Sequence, residues 1–320
     1  MMLHENKDAF KALISSVSEH TDIREDIIEK DYYLTLILFE LAEKQDTLPA
    51  YFKGGTALYK AIGRMIRFSE DIDITVDIDN CTNSQKKTRL EKASNKYRSL
   101  PRTADKTLEI NKKGSITSVY EYEPITVIDL NDQLQRFGRV KVEATSFTVS
   151  KPYEPLQISA LIYSEATPEQ QKILESKFGI KPFTINTIQI ERIFSDKILA
   201  AEFYYEQGEY FDTSKHLFDL SVMMEMQRIK DMLSDSDKFI EMIAYKRDEE
   251  RERLGSDLAE KPFSDFKLFT SLDSDEKLRE AFEEIQRIYV FKREDMINYS
   301  DMQQKIIGLN EKLLTLDENL

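Results

Sequence analysis

Residues 52–76 constrain the fold of this chain more than any other stretch. A short β-like run at 51–53 meets Gly54-Gly55-Thr56, a helical run follows, and Asp71-Ile72-Asp73 opens a second β-like run. Glycine has no Cβ to hold a ligand away and reaches backbone conformations closed to other residues, so such a turn lets amides approach a phosphate. Thr56 adds a hydroxyl donor at the start of the expected helix, where unpaired N–H groups favour an anion. Asp71 and Asp73 are two apart in a strand, so their carboxylates share a face. Their backbone separation of about 6.6 Å lets both reach one divalent cation or an adjacent pair. Oxygen-only ligation suits Mg²⁺, which keeps waters and takes substrate phosphates as further ligands. Singly, a Gly-Gly turn and an Asp-x-Asp at a strand end are common. Their order, with Arg67 and Ser69 between them, points to handling of a metal-bound nucleoside triphosphate.

Composition narrows the setting. A chain of 320 residues has ample length for a buried core and suggests two subdomains. Apolar residues make up 41 %, as in a folded protein. No apolar run approaches the roughly 18 residues of a membrane span, and residues 1–8 lack a secretory apolar core. The single cysteine, Cys81, excludes an intrachain disulfide and a cysteine-based zinc cluster. The three histidines, His4, His20 and His216, show no metal-ligand spacing. These points favour a cytoplasmic location. A net charge of −14 argues against a surface that attracts nucleic acid everywhere. Residues 86–113 run against that trend, with ten basic side chains and three acidic ones. Such a segment is either a solvated insertion between strands or a phosphate-contacting arm for RNA.

Periodicity divides the chain near residue 190. Residues 5–19 and 23–45 read as helices, with Thr21 or Asp22 as a cap for the second. Strands are expected at 51–53 and 72–76, with a helix at 57–62 between them. After the basic segment near 80–114, strands are expected at 115–123, 125–130, 138–149, 156–162 and 183–190, with a helix at 168–178. Beyond that the pattern is helical, at 191–206, 211–229, 235–252, 274–293 and 299–316. The charged run 246–253 reads as a solvated helix face.

The wording of residues 52–76 resembles the AbiEii/AbiGii toxin family of nucleotidyltransferases, which includes the MenT toxins. Glu29-Lys30-Asp31-Tyr32 resembles the helix that precedes the Gly-Gly-Thr turn in that family; its charges also suit the edge of a core helix. The resemblance implies an α+β fold: a nucleotidyltransferase core of the DNA polymerase β-like type with a mixed sheet over 1–190, then a helical domain over 191–320. It places the active site in the cleft between them, in keeping with the usual place of clefts.

Two aspartates are an incomplete metal set. Glu143 lies in an alternating strand in which Arg139, Lys141, Glu143 and Thr145 share a face. Exposed polar alternation explains that face equally well; the family's third acid on a later central strand favours Glu143, with Asp129 in reserve. Lys197 interrupts an apolar stripe of Ile193, Phe194, Ile198, Ala201, Tyr204 and Tyr205, so it must snorkel out or meet an anion. The family has a lysine here, matched by Ser195-Asp196-Lys197-Ile198-Leu199-Ala200. Asp219 lies in the apolar run 217–224, where an unpaired carboxylate is costly, and Lys197 is its natural partner. The family's Arg-Asp-x-x-Asp-Leu wording is kept here only in Asp219-Leu220, which leaves Lys215 and His216 without an inherited role.

The resemblance therefore implies an enzyme that transfers a nucleoside monophosphate from a nucleoside triphosphate to an acceptor hydroxyl. Gly54, Gly55, Thr56, Arg67, Ser69 and Lys197 would bind the nucleotide, and Asp71, Asp73 and Glu143 would bind Mg²⁺. Asp219 would orient Lys197. The acceptor would be RNA, above all the 3′ end of tRNA, and the protein would be the toxin of a toxin–antitoxin pair used in abortive infection, with a cognate antitoxin. The alternatives are nucleotidyl or phosphoryl transfer to a protein, and a non-catalytic nucleotide-binding module.

Overall fold

The computed structural model describes residues 2–63, 66–127, 137–147 and 149–317. They fall into two compact units. One comprises Met1–Gly63, Phe68–Ser146 and Tyr153–Thr187; the other comprises Arg64–Arg67, Phe147–Pro152 and Ile188–Leu320.

The first unit is α+β. Its helices α1 (Lys7–Thr21) and α2 (Glu25–Lys44) lead into β1 (Ala50–Lys53), the short α3 (Gly54–Ala57) and a π-helical turn, Leu58–Ile62. Then come β2 (Asp71–Val76), α4 (Asn83–Ser94), β3 (Ile110–Lys112), β4 (Ser115–Glu121), β5 (Arg139–Thr145), β6 (Tyr153–Ile158), α5 (Leu161–Ser164), α6 (Pro168–Phe178) and β7 (Phe183–Ile188). The strands form one mixed sheet in the order β3-β4-β5-β2-β1-β7-β6. β2 is antiparallel to β1, with Lys53 opposite Asp73, and parallel to β5, with Asp71 opposite Lys141 and Asp73 opposite Glu143. Ile72 and Ile74 of β2, and Val140, Val142 and Ala144 of β5, are fully buried. The alternating residues Asp71, Asp73, Arg139, Lys141 and Glu143 are half-buried. The two-residue period of a strand therefore puts an apolar face into the core and a charged face out beside it.

Helix α2 is buried along most of its length, and Glu29, Asp31 and Glu40 in it all find partners. Asp31 is fully buried and accepts from the Tyr59 hydroxyl at 2.9 Å, from Lys60 Nζ at 2.6 Å and from the Leu161 amide at 2.6 Å. Lys60 also donates to the Ser159 carbonyl at 2.7 Å. This pairing ties α2 to the turn after β1 and to α5, and so fixes the ground on which Gly54-Gly55-Thr56 stands.

Several sequence expectations need correction. Neither Thr21 nor Asp22 caps α2: Thr21 ends α1 with its hydroxyl donating to the Val17 carbonyl at 2.7 Å, and Asp22 follows in a left-handed conformation. The strand expected at 125–130 is not one in its described part, because Glu29 takes the amides of Ile125 at 2.9 Å and Thr126 at 3.1 Å. Residues 128–130, with the reserve candidate Asp129, lie outside the described residues. The strand at 156–162 ends at Ile158, and Leu161–Ser164 is helical. Of the basic segment, α4 is anchored by buried Leu90, Ala93 and Ser94, while Lys87, Lys92, Lys96, Arg98, Arg102, Lys106, Lys112 and Lys113 are exposed.

The second unit is helical: α7 (Ile190–Glu206), α8 (Tyr210–Met223), α9 (Gln227–Ser234), α10 (Ser236–Glu249), α11 (Lys267–Ser271), α12 (Glu276–Tyr289) and α13 (Tyr299–Asp317), with short 3₁₀ and π turns between them. Helix α8 packs against α7, α12 and α13. Leu217, Phe218 and Leu220 of α8, Phe282 and Ile285 of α12, and Met302, Ile306 and Leu309 of α13 are buried. The helix expected at 211–229 breaks at 224–226. The run 246–253 is solvated only in part: Asp248, Arg251 and Glu252 are exposed, but Lys246, Arg247, Glu249 and Glu250 are buried. Lys246 Nζ lies 3.0 Å from Glu249 and 2.8 Å from Glu250, and Arg247 donates to the carbonyls of Leu258 at 2.8 Å and Lys261 at 2.6 Å. Burial of these charges is possible because each finds an opposite charge or a carbonyl.

Candidate active site

The sheet brings together the acids named from the sequence. Asp71 and Asp73 stand on β2, and Glu143 stands beside Asp73 on β5, all on the same face. The Gly-Gly-Thr turn closes against them. Gly54 has φ +75°, and a Cβ added there would lie 2.2 Å from Oδ2 of Asp73. Only glycine permits this approach, both for its backbone conformation and for the space. Thr56 is fully buried. Its hydroxyl donates to the Asp71 carbonyl and shares a 3.0 Å hydrogen bond with Ser69 Oγ. In this structure the Thr56 side chain holds the turn to the start of β2, while Gly54 and Gly55 are partly exposed.

Lys141 completes the charged face. Its Nζ is 3.5 Å from Asp71 and 3.8 Å from Glu143. Burial lowers the ammonium pKa, but attraction from Asp71, Glu143 and Asp73 and the hydrogen bond to Asp71 outweigh this and raise it above the ordinary lysine value. Among the described residues, no three His, Cys, Asp or Glu side chains form a ready metal cage. The donor set of Asp71, Asp73 and Glu143 nevertheless fits a hard divalent cation, being all oxygen and arranged on adjacent strands beside a glycine that a side chain would displace. Next to Asp71 is a cavity of about 230 Å³ lined by Lys30, Glu70, Asp71, Leu108, Val119, Arg139 and Lys141. Lys30 is buried, with its Nζ 3.8 Å from Glu70.

The remaining site candidates belong to the second unit. Asp219 is fully buried and grips two cations. Arg67 donates to it from Nε and Nη2, both at 2.6 Å, and Lys197 donates from Nζ at 2.6 Å. Arg67 is held there through its chain as well: it bridges to Val290, and the Phe291 amide donates to the Ile66 carbonyl at 2.9 Å. Burial alone would raise the Asp219 pKa; Arg67 and Lys197 overcome it and hold the carboxyl at about 2. Lys197 thus meets an anion rather than snorkelling. The sequence reading named Lys197 as the partner of Asp219 and missed Arg67, since a bond across 152 positions leaves no local pattern. His216 stacks on Tyr204 with ring centroids 5.4 Å apart. Burial first, then the charges of Lys197, Arg67 and Lys215, push its imidazole well below the ordinary value despite the opposing pull of Asp219.

Comparison with known proteins gives the family. The family model for the nucleotidyl transferase AbiEii toxin of type IV toxin–antitoxin systems matches residues 36–307. The chain belongs to the AbiEii nucleotidyltransferase toxin family. It is accordingly an enzyme, with a nucleotide as substrate and an antitoxin as its counterpart. No curated protein matches the chain. Among solved structures it is similar to the nucleotidyltransferase toxin MenT4 of Mycobacterium tuberculosis, at 12 % identity and a TM-score of 0.48, over 95 % of this chain and 98 % of that one. It is also similar to JHP933 of Helicobacter pylori, at 15 % identity and a TM-score of 0.43, over 93 % of this chain and 95 % of that one. Among the described residues of this AbiEii protein, no helix is long and apolar enough to cross a membrane.

Proposed function

We propose that this AbiEii protein is a Mg²⁺-dependent transferase that moves a nucleoside monophosphate from a nucleoside triphosphate to a hydroxyl of RNA, at the 3′ end of tRNA, and acts in the cytoplasm in abortive infection. The observation that carries the reading is the alignment of Asp71, Asp73 and Glu143 on neighbouring strands, with Gly54 pressed against Asp73. These carboxylates would hold Mg²⁺, which supplies charge neutralisation for the attacking and leaving oxygens. The amides of Gly54 and Gly55 would receive the β and γ phosphates, with Thr56 and Ser69 fixing the turn. Within the second unit, Asp219 holds Arg67 and Lys197 in place. The acceptor oxygen forms a bond to the α-phosphorus, the α–β bridging bond breaks, pyrophosphate leaves, and the hydroxyl proton passes to solvent.

The test is incubation of the purified protein with α-labelled triphosphates, total RNA and a protein extract, with and without EDTA. Label should enter RNA, stop on chelation and return with added Mg²⁺. Label in protein alone, or labelling that persists in EDTA, contradicts the proposal.

A further inference from the structure

The two sides of the Asp71–Asp73 pair differ. In the sheet, β1 and its Gly-Gly-Thr turn lie to one side of β2, and β5 lies to the other. Gly54 abuts Asp73 on the β1 side. On the β5 side, Arg139 and Lys141 stand on the charged face, and with Lys30 they line the cavity next to Asp71. Glu70 and Asp71 line it too, and Glu121 and Glu143 stand within 3.8 Å of Arg139 and Lys141, so the three cations are held by loose ion pairs of 3.5–3.8 Å. Nucleotidyl transfer sets the attacking and leaving oxygens roughly in line. If the triphosphate lies along the glycine turn, the acceptor must enter from the opposite side, where Lys30, Arg139 and Lys141 stand.

We propose that Lys30, Arg139 and Lys141 form an acceptor subsite that seats a backbone phosphate of RNA next to the hydroxyl that receives the nucleotide. This rests on the transferase reading above. Several features fit a phosphodiester in particular. At about 230 Å³ the cavity is below the roughly 300 Å³ at which clefts for drug-sized ligands begin, so it suits a phosphate with part of its sugar. Arg139 presents a guanidinium, whose fork matches phosphate oxygens. Its side chain is 43 % exposed, and its neighbour Glu121 is at 3.7 Å, so it can turn to a ligand at small cost. Lys141 is balanced between Asp71 and Glu143. Once those acids serve a cation, the ammonium needs another anion, and the acceptor phosphate is the adjacent one. Leu108 and Val119 supply an apolar wall for a ribose.

The experiment uses the full-length protein, fluorescein-labelled bulk tRNA as probe, and the variants Arg139→Gln and Arg139→Gln/Lys141→Gln. Binding is read by anisotropy across a salt series without nucleotide, and transfer by the KM for tRNA and for nucleotide separately. Each lost phosphate contact should lower the slope of log K against log salt by about 0.7 on a single strand. Arg139→Gln should raise the KM for tRNA about tenfold, the size of one charge-assisted contact, with a much smaller change in the KM for nucleotide. A merely structural role would move both constants and leave the salt slope intact. A wild type that labels RNA, with a variant whose salt slope and acceptor KM are unchanged, overturns the subsite alone. A wild type that labels only protein, or nothing, overturns the transferase reading and the subsite with it.

Discussion

Asp219→Asn tests how the second unit stores its charges. The carboxylate is fully buried and receives three donors at 2.6 Å, two from Arg67 and one from Lys197. Replacing it with a neutral amide leaves two cations facing each other with no compensating charge. Breaking a buried ion pair in this way costs about 3–5 kcal/mol. The same geometry sets a pH dependence. The carboxyl is held at about 2, below its ordinary 3.8, so it stabilises the fold above about pH 4. That stability is lost as pH falls towards 2, because the proton then binds the unfolded chain first. At 1.36 kcal/mol per pH unit the full loss, complete only below pH 2, is about 2.5 kcal/mol. Urea unfolding of wild type and Asp219→Asn should therefore show a large gap at pH 6 that narrows by about 2 kcal/mol between pH 5 and 2. Equal midpoints at pH 6, or a gap that does not change with pH, would refute the ion cluster as described.

Two other perturbations act on the first unit. Gly54→Ala places a methyl on the Asp73 carboxylate and a side chain in a left-handed conformation. It should destabilise by about 1–2 kcal/mol and lower nucleotide transfer by about 10² or more, as misplacement near 1 Å does; unfolding and single-turnover assays read the two effects. Lys60→Met leaves Asp31 buried without its cation and should cost about 3–5 kcal/mol in urea unfolding. Asp31→Asn/Lys60→Met should recover part of this, since no lone charge stays buried; a double variant as unstable as the single one contradicts the pairing.

What the sequence made legible was local. The alternation of Asp71 and Asp73 with Ile placed two carboxylates on one face, the family resemblance favoured Glu143 as the third, and the structure adds that β2 and β5 are neighbours in register. The helix at 168–178 was readable because Thr167 and Gln170 form a capping box and Gly179 ends it in a left-handed turn. Failures came where a distant partner decides. Half of the polar run 246–253 is buried because Arg192 and the carbonyls after residue 257 are brought to it. Residues 125–127 have strand-forming side chains, but the Glu29 carboxylate claims the amides at 125 and 126. Lys141 carried a readable signal, two positions before Glu143 on the same face; its place between two acids required the parallel register of β2 and β5.

The central claim is that Asp71 and Asp73 form the reacting centre of a nucleotidyl transfer. Parallel reactions with α- and γ-labelled triphosphate, using wild type and Asp71→Asn/Asp73→Asn, test it most directly. The wild type should carry the α label into RNA and release the γ label as pyrophosphate, while the double variant keeps its fold by circular dichroism and transfers nothing. Transfer of the γ label to product, or labelling by the double variant at the wild-type rate, would contradict the claim.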